Sequence, residues 1–232
     1  MIIDIEPGTF GGPLRNGDMI GLCNVLQYLR VTSGDIKFHM KPGTISQEDY
    51  CVQFFNFLKT TTDFFSEELG GNSLSWRKIN IWDYRAISGD VVSIKNTYDI
   101  KKKIVIFPLF DAPYNNYRNW PKQVFDKVIE DYNNPMYNDY EKIICHKTPL
   151  NIPGYKDSSD FMENVYHIME SEIFVGGETG TTIFASSLDR PPKELIYYYS
   201  NRALLHTTPF HLLTGRGNMK NYWLDYEGSF WG

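Results

Sequence analysis

EIFVGGETGTT, residues 172–182, reads as a strand that stops at a pair of glycines, turns, and opens a helix with small hydroxyl residues. Glycine lets the main chain approach a ligand or a neighbouring element closely. The unpaired N–H groups at a helix start favour an anion such as phosphate. The segment is not a P-loop, because it lacks GxxxxGK[ST] and has no lysine in the turn. A tight strand-to-helix connection capped by Thr179 or Thr181 is the plain alternative.

The flanking sequence repeats the same alternation. Upstream, Lys101-Lys102-Lys103 leads into IVIFPLF (104–110), a continuous apolar run typical of a strand buried on both faces. A helix over 121–132 follows, with Val124, Phe125, Val128 and Ile129 on one face and Pro121 in its first turn. EKIICH (141–146) is the next strand, and 158–170 a helix announced by Ser158 or Ser159 with Glu163 downstream. After the strand 172–177 come a helix over Thr181 to Leu188 and a strand ELIYYY (194–199). Such alternation implies a parallel sheet with helices on both faces.

The first half opens with MIIDI and a glycine-rich turn from Gly8 to Gly21, over whose end Ile20, Leu22, Val25, Leu26 and Leu29 take helical spacing. IKFHM (36–40) reads as a strand and Asp49 to Phe65 as a helix, with a junction near 93–103. The expected organisation is α/β, with two facing Rossmann-like domains, 1–97 and 98–232, and a ligand site in the cleft between them. No repeat, coiled coil or low-complexity tract interrupts it.

Composition excludes several classes. The chain has 232 residues, 42% hydrophobic and 22% charged, an ordinary globular balance. No run reaches the length of a membrane helix, and Asp4 and Glu6 stand where a signal peptide carries basic residues. A cytoplasmic protein with no membrane partner is therefore expected. Cys23, Cys51 and Cys145 are too scattered for a disulfide framework or a CxxC site. The net charge of −5 excludes a strongly basic nucleic-acid coat but not a local basic groove. Four alanines against 17 asparagines and 16 tyrosines point to an AT-rich gene, as in a virus or a low-GC bacterium.

Three motifs carry a family resemblance. IVIFPLFDAPYNNYRNWPKQVFDKVI places Arg118 at the end of a loop and the pair Trp120-Pro121 before a helix. Glu178-Thr179-Gly180 opens a small-residue helix containing Ala185, with Pro191 and Pro192 before the next strand. Gly17-Asp18 opens the first helix in NGDMIGLCNVLQYLR. In this order and spacing they resemble the heptosyltransferase-like family of GT-B glycosyltransferases. The chain departs from the family at Ile183, where a histidine is usual, at Glu178, where aspartate is commoner, and at Pro113 and Tyr114, where hydroxyl residues are usual. Residues 41–100 match no named motif.

The resemblance implies an inverting, metal-independent glycosyltransferase with a nucleotide sugar, UDP-linked, as co-substrate and no bound cofactor. Sugar transfer deprotonates an acceptor hydroxyl, passes an oxocarbenium-like transition state and releases a diphosphate. Asp18 is the implied general base, with a helix cap as its structural alternative. Arg118 would take the diphosphate bidentately, and Tyr114, Glu178, Thr179, Gly180, Thr181 and Thr182 would complete the donor site. Gly12, Arg15 and Gly17 would face the acceptor. No DxD triplet exists, and His206 and His211 make no convincing metal pair.

The expected acceptor is 5-hydroxymethylcytosine in bacteriophage DNA, reached by base flipping. Arg15, Arg77, Lys78, Arg85, Phe10, Trp76, Trp82 and Tyr84 are candidates for a DNA-facing rim, or else scattered surface charge and core aromatics. Neither half of the chain is basic. A surface polysaccharide or lipid-linked saccharide is the alternative acceptor, and a catalytically silent nucleotide-binding protein the alternative class.

Overall fold

The structure, a computed structural model, describes residues 1–8, 12–71, 94–110, 118–177, 179–200, 218–224 and 230–231. The chain divides into two compact units. One holds Met1–Asn96 with Ser187–Asp189, and the other holds Thr97–Ser186 and most of the chain from Arg190 on.

In the first unit, β1 (Ile2–Ile5), α1 (Asn16–Ser33) and β2 (Lys37–Met40) form a strand–helix–strand unit whose strands pair in parallel, Ile3 opposite Phe38. Its apolar face takes Ile3, Ile5 and Phe38, and the burial of Ile20, Leu22, Val25 and Leu26 fits the helical spacing read from the sequence. α2 (Asp49–Thr61) packs beside α1 through a face that buries Cys51, Phe54 and Leu58.

The helix expected to run to Phe65 stops at Thr61. Thr60 and Thr61 donate their hydroxyls to the Phe57 carbonyl and Thr62 donates to that of Leu58, offering the backbone a local alternative to continued helix. Asp63 is then drawn to Arg30 at 2.8 Å, and Phe65 bridges in parallel beside Phe38. Three consecutive β-branched residues thus turn a helical pattern into a third sheet position.

The second unit is built on a seven-stranded sheet. Its strands are β3 (Lys101–Phe107), β4 (Glu141–Cys145), β5 (Lys156–Ser158), β6 (Ser171–Gly176), β7 (Glu194–Ser200), β8 (Asn218–Leu224) and β9 (Phe230–Trp231). The order is β5-β4-β3-β6-β7-β8-β9, parallel except for the antiparallel β8–β9 pair. Among the described residues three helices join them: α3 (Lys122–Tyr132), α4 (Phe161–Glu170) and α5 (Gly180–Ser187). The expected parallel α/β sheet is present. β5, β8 and β9 have no counterpart in the sequence reading, β5 being only three residues long.

Alternate strand residues face opposite ways, and the partners of each face show which helix covers it. Ile104, Ile106, Ile144, Ile173, Val175 and Ile196 pack with Val124, Phe125, Val128 and Tyr132 of α3 in one core cluster. On the other face Lys103 reaches His167 and Glu170 of α4, and Tyr197 reaches Thr182 of α5. The crossover from β3 therefore leaves on one face and the crossover from β6 on the other. That reversal makes the carboxyl ends of β3 and β6 the topological switch point, where open α/β sheets bind ligands.

Helix boundaries in the second unit shift by one to three residues from the pattern. α4 is capped by Asp160, whose Oδ1 accepts the Glu163 N–H at 2.7 Å, rather than by Ser158 or Ser159. Ser158 belongs to β5 and donates its hydroxyl to Glu163 Oε2. Pro121 sits at the N-cap of α3, one position before its first turn. None of the described helices is long and apolar enough to cross a membrane.

Candidate functional site

At the switch point the two glycines are required by packing. A Cβ on Gly176 would lie 2.6 Å from Thr182 Oγ1 and 2.7 Å from the Phe174 ring. On Gly177 it would lie 2.9 Å from Trp120 Nε1 and 3.3 Å from Leu109 Cβ. These are the close approaches for which glycine is used at such turns.

Beyond the glycines, three threonines share hydroxyl bonds. Thr182 donates to the Gly177 carbonyl at 2.5 Å, and Thr179 Oγ1 lies 3.2 Å from Thr182 Oγ1 and 2.7 Å from Thr181 Oγ1. Each hydroxyl has a single proton. With the Thr182 proton on Gly177, the chain runs from Thr181 to Thr179 to Thr182 to the carbonyl. Thr181 and Thr182 are buried, so their side chains build the turn. An anion here would meet main-chain N–H groups of Gly180, Thr181 and Thr182, in the first turn of α5. Tyr197 anchors that turn further by donating to the Thr182 carbonyl at 2.7 Å.

The loop after β3 returns to the same edge. The Trp120 N–H donates to the Leu109 carbonyl at 2.7 Å, closing the loop and placing half-buried Arg118 two residues before the closure. Trp120 is 4% exposed, its ring meets Tyr198 edge-on at 5.0 Å, and its Nε1 is buried with no hydrogen-bond partner among the described residues. An orphaned buried donor is uncommon in a folded protein. Tyr114 and Glu178 lie outside the described residues, as do Pro113, His206 and His211.

In the first unit the sequence-selected residues gather at the start of α1. Arg15 is the N-cap, and its backbone N–H donates to Asp18 Oδ2 at 3.1 Å. Asp18 thus occupies the third helical position and forms the reciprocal half of a capping box. The other half is missing, since a guanidinium has no acceptor. The half-buried Asp18 carboxylate is oriented by this bond and favoured by the helix start. Gly17 lies in the first turn, and no described residue stands within 4 Å of a Cβ built on half-exposed Gly12.

Several partners were not legible. The Arg15 guanidinium pairs with Glu48 at 3.0 Å, a residue with no motif around it. Leu14 is clamped by the 41–48 loop, its N–H donating to Thr44 and its carbonyl accepting from Ser46. Burial, with neighbouring Glu48, pushes the Tyr50 phenol upward. Deeper in the unit, buried Asp4 accepts the Gly70 N–H at 2.7 Å and sits 3.2 Å from His39 Nδ1. The Gly70 bond foremost, then His39, hold its carboxyl below the ordinary value against the opposing effect of burial. Parallel register sets Asp4 beside His39, which spacing along the chain does not reveal.

The residues named for the DNA-facing rim between 76 and 85, and Phe10, lie outside the described residues. A groove of about 530 Å³ runs along α3, lined by Phe125, Asp126, Ile129, Glu130 and Ile152 among others. It shares no residue with the Gly176–Thr182 turn. Its size is ordinary for a ligand site, but its polar groups are those of an exposed helix face.

No protein-family model matches this sequence, and no curated protein matches it. Among solved structures, the chain is similar to the E. coli heptosyltransferase WaaC with ADP, at a TM-score of 0.48 and 10% sequence identity. The match covers 98% of this chain and 95% of that one.

Proposed function

We propose that this protein is a glycosyltransferase of GT-B type that moves a sugar from a nucleotide-sugar donor to a hydroxyl acceptor. The observation that carries the reading is the switch-point turn. Two sterically required glycines end β6, and the first turn of α5 presents main-chain N–H groups at the edge to which the loop bearing Arg118 returns. Free N–H groups and a cation at one edge suit a diphosphate.

In the proposed reaction the Asp18 carboxylate takes the proton of the acceptor hydroxyl as its oxygen bonds the anomeric carbon. The bond from that carbon to the diphosphate oxygen breaks on the opposite side, so configuration inverts. Arg118, by charge, and the α5 N–H groups, by hydrogen bonding, neutralise the departing diphosphate without a metal. The Arg15 N–H fixes the orientation of the Asp18 carboxylate before the acceptor arrives. The donor is read as UDP-linked and the acceptor as 5-hydroxymethylcytosine in DNA. Both of these finer readings rest on the sequence.

The deciding experiment incubates the protein with a panel of UDP- and ADP-sugars and with either hydroxymethylcytosine DNA or a mixture of oligosaccharides, then weighs the nucleosides and glycans by mass spectrometry. A pentose or hexose gain on the modified cytidine is the expected result. Donor consumption without that gain would move the acceptor to a saccharide, and donor left intact with every acceptor would overturn the transferase reading.

A further inference from the structure

A buried lysine ties α4 to the sheet, and it faces a histidine ring. The Lys103 side chain on β3 is 4% exposed. Its Nζ donates to Glu170 Oε2 at 2.6 Å, lies 3.3 Å from His167 Nδ1 and 3.5 Å from Glu141 Oε2 on β4. An ammonium carries donors only. Nδ1 must therefore be the acceptor, which leaves the His167 ring neutral with its proton on Nε2, 3.4 Å from Glu163 Oε1.

The surrounding charges come from every neighbouring element. Lys156 on β5 lies 3.5 Å from Glu163 Oε1, and Lys101 on β3 bonds Glu170 Oε1 at 2.6 Å. Glu163 and Glu141 favour a charged ring, while Lys103 and Lys156 oppose it. Burial opposes it most, and the balance holds His167 below the ordinary histidine value.

We propose that Lys103, His167 and Glu163 form a pH-sensitive latch, in which protonation of His167 Nδ1 sets an N–H against the Lys103 ammonium and releases α4 from β3. The last residue of α4, Glu170, is followed directly by Ser171, the first of β6, so the release reaches the strand that ends at Gly176. The direction follows from linkage. The released state binds the proton more tightly than the docked state, so docking is strongest above the ordinary histidine value and is lost as pH falls from there through the lower docked one.

Hydrogen exchange read by mass spectrometry, corrected for intrinsic rates between about pH 7.5 and about pH 5, tests the latch. Peptides covering 161–170 are compared with peptides covering 122–132, in the wild-type protein and in His167→Gln. In the wild type, protection of α4 falls with acidification by up to about tenfold per pH unit, the limit for one proton. Protection of α3 holds, and α4 in the variant stays flat. Equal pH dependence in wild type and variant, or parallel loss in α3 and α4, would overturn the proposal. Should the variant not fold, ¹⁵N shifts of the wild-type His167 ring decide the matter. A bare Nδ1 at neutral pH supports the latch, and a protonated Nδ1 there overturns it.

Discussion

The Thr182 hydroxyl lies 2.5 Å from the Gly177 carbonyl and ties the first turn of α5 to the end of β6. The same carbonyl accepts the Thr179 N–H at 2.9 Å, so one oxygen organises both sides of the turn. The Thr179, Thr181 and Thr182 hydroxyls bond within the turn, a geometry that aims the main chain. Thr182→Val, which keeps the shape and removes the hydroxyl, should cost about 1 kcal/mol in chemical denaturation. Thr182→Ser should stay close to wild type, and Thr181→Val should cost less than Thr182→Val, because Thr181 stands at the start of the hydroxyl chain.

Gly177→Ala puts a methyl group against Trp120 Nε1 and Leu109 Cβ, and neither can withdraw without disturbing the core around α3. Overpacking of this kind typically costs about 1–3 kcal/mol. The denaturation midpoint should fall accordingly, while Gly12→Ala, where no described residue stands within 4 Å, leaves it nearly unchanged.

Much of the second unit was legible because its elements obey simple periods. IVIF (104–107), IIC (143–145) and IFVG (173–176) are continuous apolar runs, and the α3 face follows Val124, Phe125 and Val128. Short β5 and the polar NMKNYWL of β8 give no such signal, and α2 ends early because three threonines compete for its carbonyls. Asp18 was legible as a helix-start carboxylate. Its bond to the Arg15 N–H, the Arg15–Glu48 pair and the Asp4–His39 pair depend on loop closure and strand register, which spacing along the chain does not carry.

Gly70 is the tightest close approach among the described glycines, since an added Cβ would lie 2.2 Å from the Ile2 carbonyl oxygen. Its N–H is also the main cause of the low Asp4 value. An acid whose folded value is depressed contributes stability that is present above its ordinary value and lost as pH falls through the folded one. The wild-type protein should therefore lose stability below about pH 4 more steeply than Asp4→Asn. Acid titrations of the unfolding midpoint measure both slopes, and identical slopes would remove Asp4 from the account.

Asp18→Asn retains an oxygen to accept the Arg15 N–H, so α1 should remain folded by circular dichroism. Loss of the base should lower glycosyl transfer by about 10²–10⁴-fold. Unchanged turnover in this variant would return Asp18 to a purely structural role.

The most direct measurement of the switch-point site is a ¹H–¹⁵N chemical-shift titration with UDP and with ADP. Saturable shifts should concentrate on the Gly180, Thr181 and Thr182 amides and on the Trp120 indole N–H, and should weaken in Arg118→Ala. Saturable binding that leaves those four signals in place, or no binding by either nucleotide at millimolar concentration, would contradict a diphosphate site at the carboxyl ends of β3 and β6.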